Sequence, residues 1–476
     1  MNFLFVFSYE ETNISQIKVH TPPLGIGYMA AFLKRRGHGV RGVDLQVQKR
    51  SDVFDNLDGV DMVGISILTN YFEQAVDLVA ELREKGFKGK IILGGPHVTA
   101  LPEPSLRDSH ADFVCVSEGE EVMVDFAEGI PGKEIQGVGY LQDGHYRSNP
   151  LRPFSTPLDD YPFPAIEIFK LERYGSYNMT LVPPSTRDGI IMTSRGCPFR
   201  CDFCYRDDVN KRMRLRSAEN IVDEIRQLKE RYGYRKFSFI DDCFNANIKQ
   251  AKRICQHIIA ANLDIIFTLP NGMRADLIDD ELAKLMHQAG CIGANIGVES
   301  WDTTVAEKMD KRLKKEATIQ AVKLFRKHNI ICTAYFIMGQ YWDNKESLKR
   351  NIEAVKELNA DFFQFTNFVP VPGSPAYGYL HEKGLLDIKT FREFSLFGSK
   401  LLFKHPELSE EDIHASIRIA NQKAAFRLRT LLVMLKRPII LWNVLRNFGQ
   451  ILSLTKIFEF GKAPDLVLPS PENKKG

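Results

Sequence analysis

The chain has 476 residues, 44% of them hydrophobic and 26% charged, with a formal net charge of +3. That length exceeds one ordinary domain, the composition is that of a folded globular protein, and the even charge balance argues against a nucleic-acid partner. Of the eight cysteines, Cys115, Cys243, Cys255, Cys291 and Cys332 are scattered singly, which excludes the disulfide framework of a small secreted domain.

The opening "MNFLFVFSYEET" has no basic segment and no small-residue cleavage site, so it reads as a strand and not as a signal peptide. No run of about 18 or more apolar residues occurs, so no spanning helix is expected, and the expected setting is a reducing cytoplasm. "NFLFVFS" is followed by the helix-like "PLGIGYMAAFLKRRGH", then by the strands "GVRGVDLQ" and "VDMVGISIL". The amphipathic "FEQAVDLVAELREKG" and the strands "KIILGG" and "FVCVSEGE" complete the pattern. Alternating strands and helices predict a doubly wound, Rossmann-like α/β domain over 1–130, with ligand-binding loops at its strand ends. Residues 131–187 are rich in Pro and Asp and suggest only a short hairpin; they read as a linker packed between domains.

Alternation resumes at Asp188. The strand "GIIMTS" enters a cysteine loop, and "SAENIVDEIRQLKERYG" is a helix with a capping-box start at Ser217. Further strand–helix steps run through "KFSFIDD", "DIIFTLPNG", "IGANIGVES", "CTAYFIMG" and "FFQFTNFVP". Six steps predict a partial (β/α)6 TIM-type barrel over 188–384. Such barrels place their chemistry at the C-terminal strand ends, where the cysteines, Asp241, Asp242, Asn271, Glu299, Ser300 and Gly339 fall. Residues 385–476 form a helical C-terminal region whose last residues, "PSPENKKG", read as disordered.

Residues 194–204 read "SRGCPFRCDFC", which places Cys197, Cys201 and Cys204 at spacing CxxxCxxC. Structural zinc takes four ligands, usually as two knuckles, and no second CxxC follows. Three thiolates on a [4Fe–4S] cubane leave one iron open, which suits catalysis. The absent fourth cysteine is thus the point of the motif.

With an aromatic, Phe203, before the last cysteine, the loop resembles the signature of radical S-adenosylmethionine (SAM) enzymes. That resemblance implies a [4Fe–4S] cluster whose open iron chelates SAM, and reductive cleavage of SAM to a 5′-deoxyadenosyl radical. It implies cofactor contacts at Phe203, at Asp241 and Asp242 of "FIDD" (where the family usually has Gly-Gly-Glu), and at Glu299 and Ser300 of "GVES". "PPLGIGYMAAFLKRRGH", "VGIS", "GGPHVT" and "SEGEE" resemble the cobalamin-binding domain of the B12-dependent radical SAM subgroup, in its methyltransferase and anaerobic cyclase branches. The expected cobalamin edge comprises the hydroxyls of Ser66 and Thr69, the close-approach glycines Gly94 and Gly95, and Glu118 and Gly119. The mutase motif DxHxxG is absent, so His20 and His97 are expected to serve no ligand role. Methylthiotransferases, whose front domain carries three cysteines, are excluded because this one has only Cys115.

The resemblance implies an enzyme that moves a methyl group from one SAM through cobalamin to a substrate carbon, or phosphorus, centre activated by a radical from a second SAM. Cobalamin-dependent ring closure or oxygen-independent oxidation uses the same parts and stays open. A non-catalytic cobalamin or redox sensor would not need the intact triad. The expected partners are a small-molecule or lipid substrate and a reducing donor such as flavodoxin or ferredoxin. No acid–base residue is identifiable; Tyr205 and Tyr335 lie near the expected mouth. In the tail, Arg427, Arg429, Lys436, Arg437 and Arg446 interleave with Trp442, Phe448 and aliphatic residues around Pro438, with scarcely any acid. A basic amphipathic segment of this kind predicts peripheral contact with an anionic membrane and hints at a lipid substrate; a helical cap on the barrel with solvated arginines is the alternative.

Overall fold

The computed structural model describes residues 1–9, 21–154, 156–175, 181–183, 186–205, 212–396, 398 and 400–446. His20 and Phe448 lie outside the described residues.

Strands β1 (Asn2–Phe7), β2 (Gly39–Asp44), β3 (Met62–Ser66), β4 (Lys90–Gly94) and β5 (Phe113–Cys115) form a parallel sheet in the order β2-β1-β3-β4-β5. Their apolar runs are buried on both faces, as a parallel sheet requires. The helices Leu24–Arg35 and Glu120–Ala127 cover one face, and Phe72–Glu84 and Pro102–Ser109 the other. This is the expected doubly wound domain. Its sheet continues past residue 130: β6 (Val138–Gln142) pairs antiparallel with β5, and β7 (His145–Ser148) with β6. The hairpin suggested in the linker is therefore part of the front sheet.

The remainder of 131–187 joins the two halves. Leu158, Tyr161, Ile166, Phe169 and Tyr174 belong to one apolar core that runs from Phe3 and Phe5 of β1 to the phenylalanines of the second sheet. The Tyr174 hydroxyl donates to the buried Asp44 carboxylate at 2.7 Å.

The second sheet has six parallel strands in sequence order: β8 (Asp188–Ile191), β11 (Lys236–Phe239), β12 (Ile266–Met273), β13 (Cys291–Glu299), β14 (Ile331–Met338) and β15 (Phe362–Asn367). The short strands β9 (Ser194–Arg195) and β10 (Arg214–Leu215) form an antiparallel hairpin between β8 and β11. This is the partial (β/α)6 barrel. Helices follow its strands on the outside, the last being Glu410–Ala425, which lies against β15 and the helix Lys345–Leu358. Ser217 caps the helix Ala218–Tyr232 by accepting from the Asn220 amide at 3.1 Å. The second arm of the expected capping box is missing, because position N3 is an asparagine whose side chain accepts from Arg216 and donates to the Asp159 carbonyl.

The helices Leu428–Lys436 and Pro438–Arg446 pack through Val433 and Ile440 on Ile331 and Phe362, the first residues of β14 and β15. They therefore cover the N-terminal end of the barrel, opposite the cysteine loop. Among the described residues no helix is long and apolar enough to cross a membrane.

Candidate active site

The cysteine loop leaves β8 and is fixed at its start by Asp241. That carboxylate is buried at the end of β11, and one of its oxygens accepts from the amide and hydroxyl of Thr193 (both 2.9 Å) and of Ser194 (2.6 and 2.7 Å). This oxygen of Asp241 thus shapes the loop, while the other, Oδ2, is buried without a partner among the described residues. Its neighbour Asp242 is exposed; burial raises the Cys197 and Cys204 thiols and the Asp242 charge adds to it, so Asp242 is the acid of the pair that lies beside the cysteines. Alternation along an extended segment explains the division.

Three further contacts hold the loop. The Arg274 guanidinium lies 4.2 Å from the centre of the Phe199 ring, between the first two cysteines. Asp202 accepts from the Tyr341 hydroxyl at 2.8 Å, and Phe203 packs in an apolar cluster with Tyr341, Phe368, Ala376, Leu380 and Phe403. Cys204 is exposed, and Cys197 and Cys201 are half-buried.

Two register shifts shape the mouth. On β12 the shift lies between Leu269 and Gly272, and the Pro270 carbonyl there accepts from Asn295 at 2.7 Å and from the Tyr335 hydroxyl at 3.0 Å. Asn271 donates to the carbonyls of Ile240 and Asp241 at 2.9 and 3.0 Å. On β13 the shift lies between Gly297 and Glu299, and Glu299 takes φ 65°. Its carboxylate folds back over Gly297, where a Cβ would stand 2.3 Å from Oε1, and accepts from the buried Lys311 ammonium at 3.0 Å. Burial disfavours the charged ammonium, but Glu299 and Cys201 hold Lys311 above its ordinary value. Ser300 turns away: its hydroxyl accepts from the Asp302 amide at 3.2 Å and bonds Asn351 at 3.3 Å. Gly339, at φ 75°, lets Ile413 of the last barrel helix approach.

The residues present fit a polynuclear iron–sulfur group. Among the described residues no three His, Cys, Asp or Glu side chains converge on a single metal ion. Cys243 is buried, and its thiol donates to Asn245 Oδ1 at 3.4 Å. Burial pushes the Cys197 and Cys201 thiols up, while Lys311 and Arg274 pull them back. Two buried cations beside three thiols suit an anionic cluster.

In the front domain the loops after β3, β4 and β5 are tied together. Ile67 N donates to Gly94 O at 2.9 Å, and Thr99 Oγ1 donates to Gly95 O and accepts from Ser117 N. Ser66, Thr69 and Gly94 stand on this edge. Gly95, at φ 98°, is needed for packing, since a Cβ would lie 2.8 Å from the Ile67 backbone. The buried hydroxyl of Ser117 has no partner among the described residues, which fits a ligand rich in amides, as cobalamin is. His97 is also buried there, between the rings of Phe72 and Phe391 at 4.5 and 4.7 Å.

Glu118 and Gly119 do otherwise. Gly119 makes room for Met29, and Glu118 pairs with Arg195 and Arg214 of the barrel half. Arg195, Arg214, Arg274 and Lys311 were not among the residues the sequence motifs marked, because none has a diagnostic spacing of its own.

The chain matches a B12 binding domain over residues 11–127 and the radical SAM superfamily over 191–355. An uncharacterized methyltransferase of Pyrococcus horikoshii is 29% identical over 88% of this chain and 91% of its own length. An anaerobic magnesium-protoporphyrin IX monomethyl ester cyclase of Rubrivivax gelatinosus is 24% identical over 80% of this chain and 70% of its own. The fold is shared with the radical SAM methyltransferase TsrM of Kitasatospora setae, solved with cobalamin and a [4Fe–4S] cluster bound, at TM-score 0.66 and 18% identity over 80% of this chain and 75% of that one. With both domains in one chain, on these strands and around this cysteine triad, the protein joins a B12-binding domain to a radical SAM domain, and its relatives include proteins named as methyltransferases and anaerobic cyclases.

Proposed function

We propose that the protein transfers a methyl group to an unactivated carbon of a substrate held between its two halves. When bound, the cluster with SAM supplies a 5′-deoxyadenosyl radical and cobalamin carries the methyl group. Cys197, Cys201 and Cys204 would hold the cluster, with Asp242 and the Glu299–Lys311 pair beside the cofactor at the mouth. Ser66, Thr69 and Gly94 would meet cobalamin on the opposite edge.

One contact carries this reading. Gly373, after β15 and at φ 83°, touches both edges: a Cβ there would stand 2.4 Å from the Tyr205 ring and 3.3 Å from Ala100. Tyr205 follows the last cysteine, and Ala100 ends the helix after β4. The ligand edge of the front domain and the cysteine loop are therefore separated by one residue, which suits transfer between groups held on either side.

The test uses anaerobically reconstituted protein loaded with hydroxocobalamin, given SAM and a reductant. Methyl transfer predicts about one S-adenosylhomocysteine per bound cobalamin before any substrate is added. 5′-Deoxyadenosine without S-adenosylhomocysteine would favour ring closure or oxidation, the reading suggested by the cyclase relative.

The tail supports a separate expectation of membrane contact. Phe426, Leu428, Leu431, Leu432, Leu435, Trp442 and Leu445 are exposed, with Lys436 and Arg446 beside them. Arg427 and Arg429 instead hold the Asp361 region, and Arg437 bonds Asn329, so the alternative of solvated arginines does not describe those three. The stripe lies at the barrel end opposite the cysteines. It would moor the protein to an anionic bilayer without feeding the mouth, and it lends no support to a lipid substrate. Co-sedimentation with phosphatidylglycerol vesicles, lost in L431S/L435S, is the expected result; equal sedimentation of both would end the idea.

A further inference from the structure

The base of the cysteine hairpin is gripped by the front domain. Arg195, two residues before Cys197, pairs with Glu118 at 3.0 Å and with Glu120 at 2.6 Å. Its guanidinium also lies 4.9 and 5.1 Å from the ring centres of Tyr28 and Tyr161. Arg214 faces Arg195 in register across the hairpin, pairs with the same Glu118 oxygen, and covers Phe154 at 3.7 Å. The side chains of Arg195, Arg214, Glu118 and Glu120 are only 11, 16, 19 and 5% exposed. Exposed ion pairs contribute little, but a buried group is sensitive to the loss of any one member.

Glu118 and Glu120 flank the turn after β5. That turn is tied through Ser117 and Thr99 to the loop after β4, which carries Gly94 and Gly95. A continuous set of contacts thus runs from the ligand edge of the front domain to the residue that launches the cysteine loop. Gly196, at φ 84°, is the one residue between Arg195 and Cys197.

We propose that Glu118, with Arg195 and Arg214, is a positioning latch that makes the placement of the cysteine loop depend on the ligand edge of the front domain. It goes beyond the reading above, since methyl transfer, cyclisation and oxidation would all need the two edges in register. Glu118 is then a positioning residue and not a cobalamin ligand.

The experiment measures amide hydrogen exchange in the full chain, with and without hydroxocobalamin, for wild type, E118Q and R214Q. In wild type, hydroxocobalamin slows exchange over 193–205 and 212–216. In each variant hydroxocobalamin and iron are still bound, exchange over those segments rises about tenfold, and the response to hydroxocobalamin is lost. In E118Q/R214Q the effects do not add, because both changes remove one link. Wild-type exchange in both variants overturns the proposal. So does loss of hydroxocobalamin in E118Q with an unchanged R214Q, which would make Glu118 a ligand of the cofactor. If E118Q fails to fold, R214Q decides alone: it takes one of the two barrel arginines from Glu118 while Glu118 and Glu120 stay paired with Arg195, and wild-type exchange in it overturns the proposal.

Discussion

Replacing Lys236 by methionine should unsettle the barrel far more than deleting the whole ion pair to which it belongs. Lys236 and Asp188 face each other in register on β11 and β8, with side chains 1 and 0% exposed. The ammonium also donates to Ser238 Oγ at 2.6 Å, and Ser238 Oγ donates to Asp188 at 2.8 Å. Burial pulls Lys236 below its ordinary value, with Asp188 opposing. K236M keeps the volume but takes the ammonium away from a buried carboxylate, at a cost of about 3–5 kcal/mol; K236M/D188L removes both charges and should cost about 1 kcal/mol or less. At a slope of about 3 kcal/mol/M, the single variant lowers the urea midpoint by roughly 1–1.7 M. The three tryptophans, Trp301, Trp342 and Trp442, all lie after residue 188, so tryptophan fluorescence follows the barrel half alone. A single variant within 1 kcal/mol of wild type (an order-of-magnitude bound), or a double variant as unstable as the single, would refute the reasoning.

Acid should weaken the front domain through His97, whose ring nitrogens have no partner among the described residues and whose pKa burial pushes from 6.5 to about 4. The unfolded chain takes up this proton near pH 6.5 and the folded chain only near 4. Stability therefore falls as pH drops across that window, by up to about 3 kcal/mol. H97L should flatten that pH dependence in urea titrations, and equal slopes would show that His97 is not its source. Removing the Lys311 charge should make the cluster harder to reduce. K311M is expected to lower its midpoint potential by about 60 mV, equivalent to about 1.4 kcal/mol for one electron, in a redox titration followed by EPR. An unchanged potential would place Lys311 too far from the thiols to matter.

Much of this molecule is legible in its primary structure because strong local rules apply. The cysteine spacing is a recognisable local pattern, and the alternation of strands and helices reflects burial on both faces of parallel sheets. The less legible parts depend on long-range partners. Glu118 sits in a strand-end loop that looks like a ligand site, yet its partner Arg214 is 96 residues away, and no periodicity connects them. Asp241 and Asp242 are equivalent as letters; which one faces the cysteines depends on the backbone. The tail arginines read as one basic stripe, yet three are bound to carbonyls and side chains of distant loops. The hairpin after residue 131 is polar and short, and only the strand it pairs with reveals that it belongs to the front sheet.

That hairpin has a practical consequence for anyone dissecting the protein. β5 is only three residues long, and on its outer side the sheet is completed by β6 and β7. A fragment ended at residue 130, where the helical pattern stops, would leave β5 as a bare edge with unpaired amides and carbonyls, open to pairing with a second molecule. Carrying the fragment through residue 153 retains both strands, so the edge of the front sheet lies at the end of the hairpin and not at the end of the last helix.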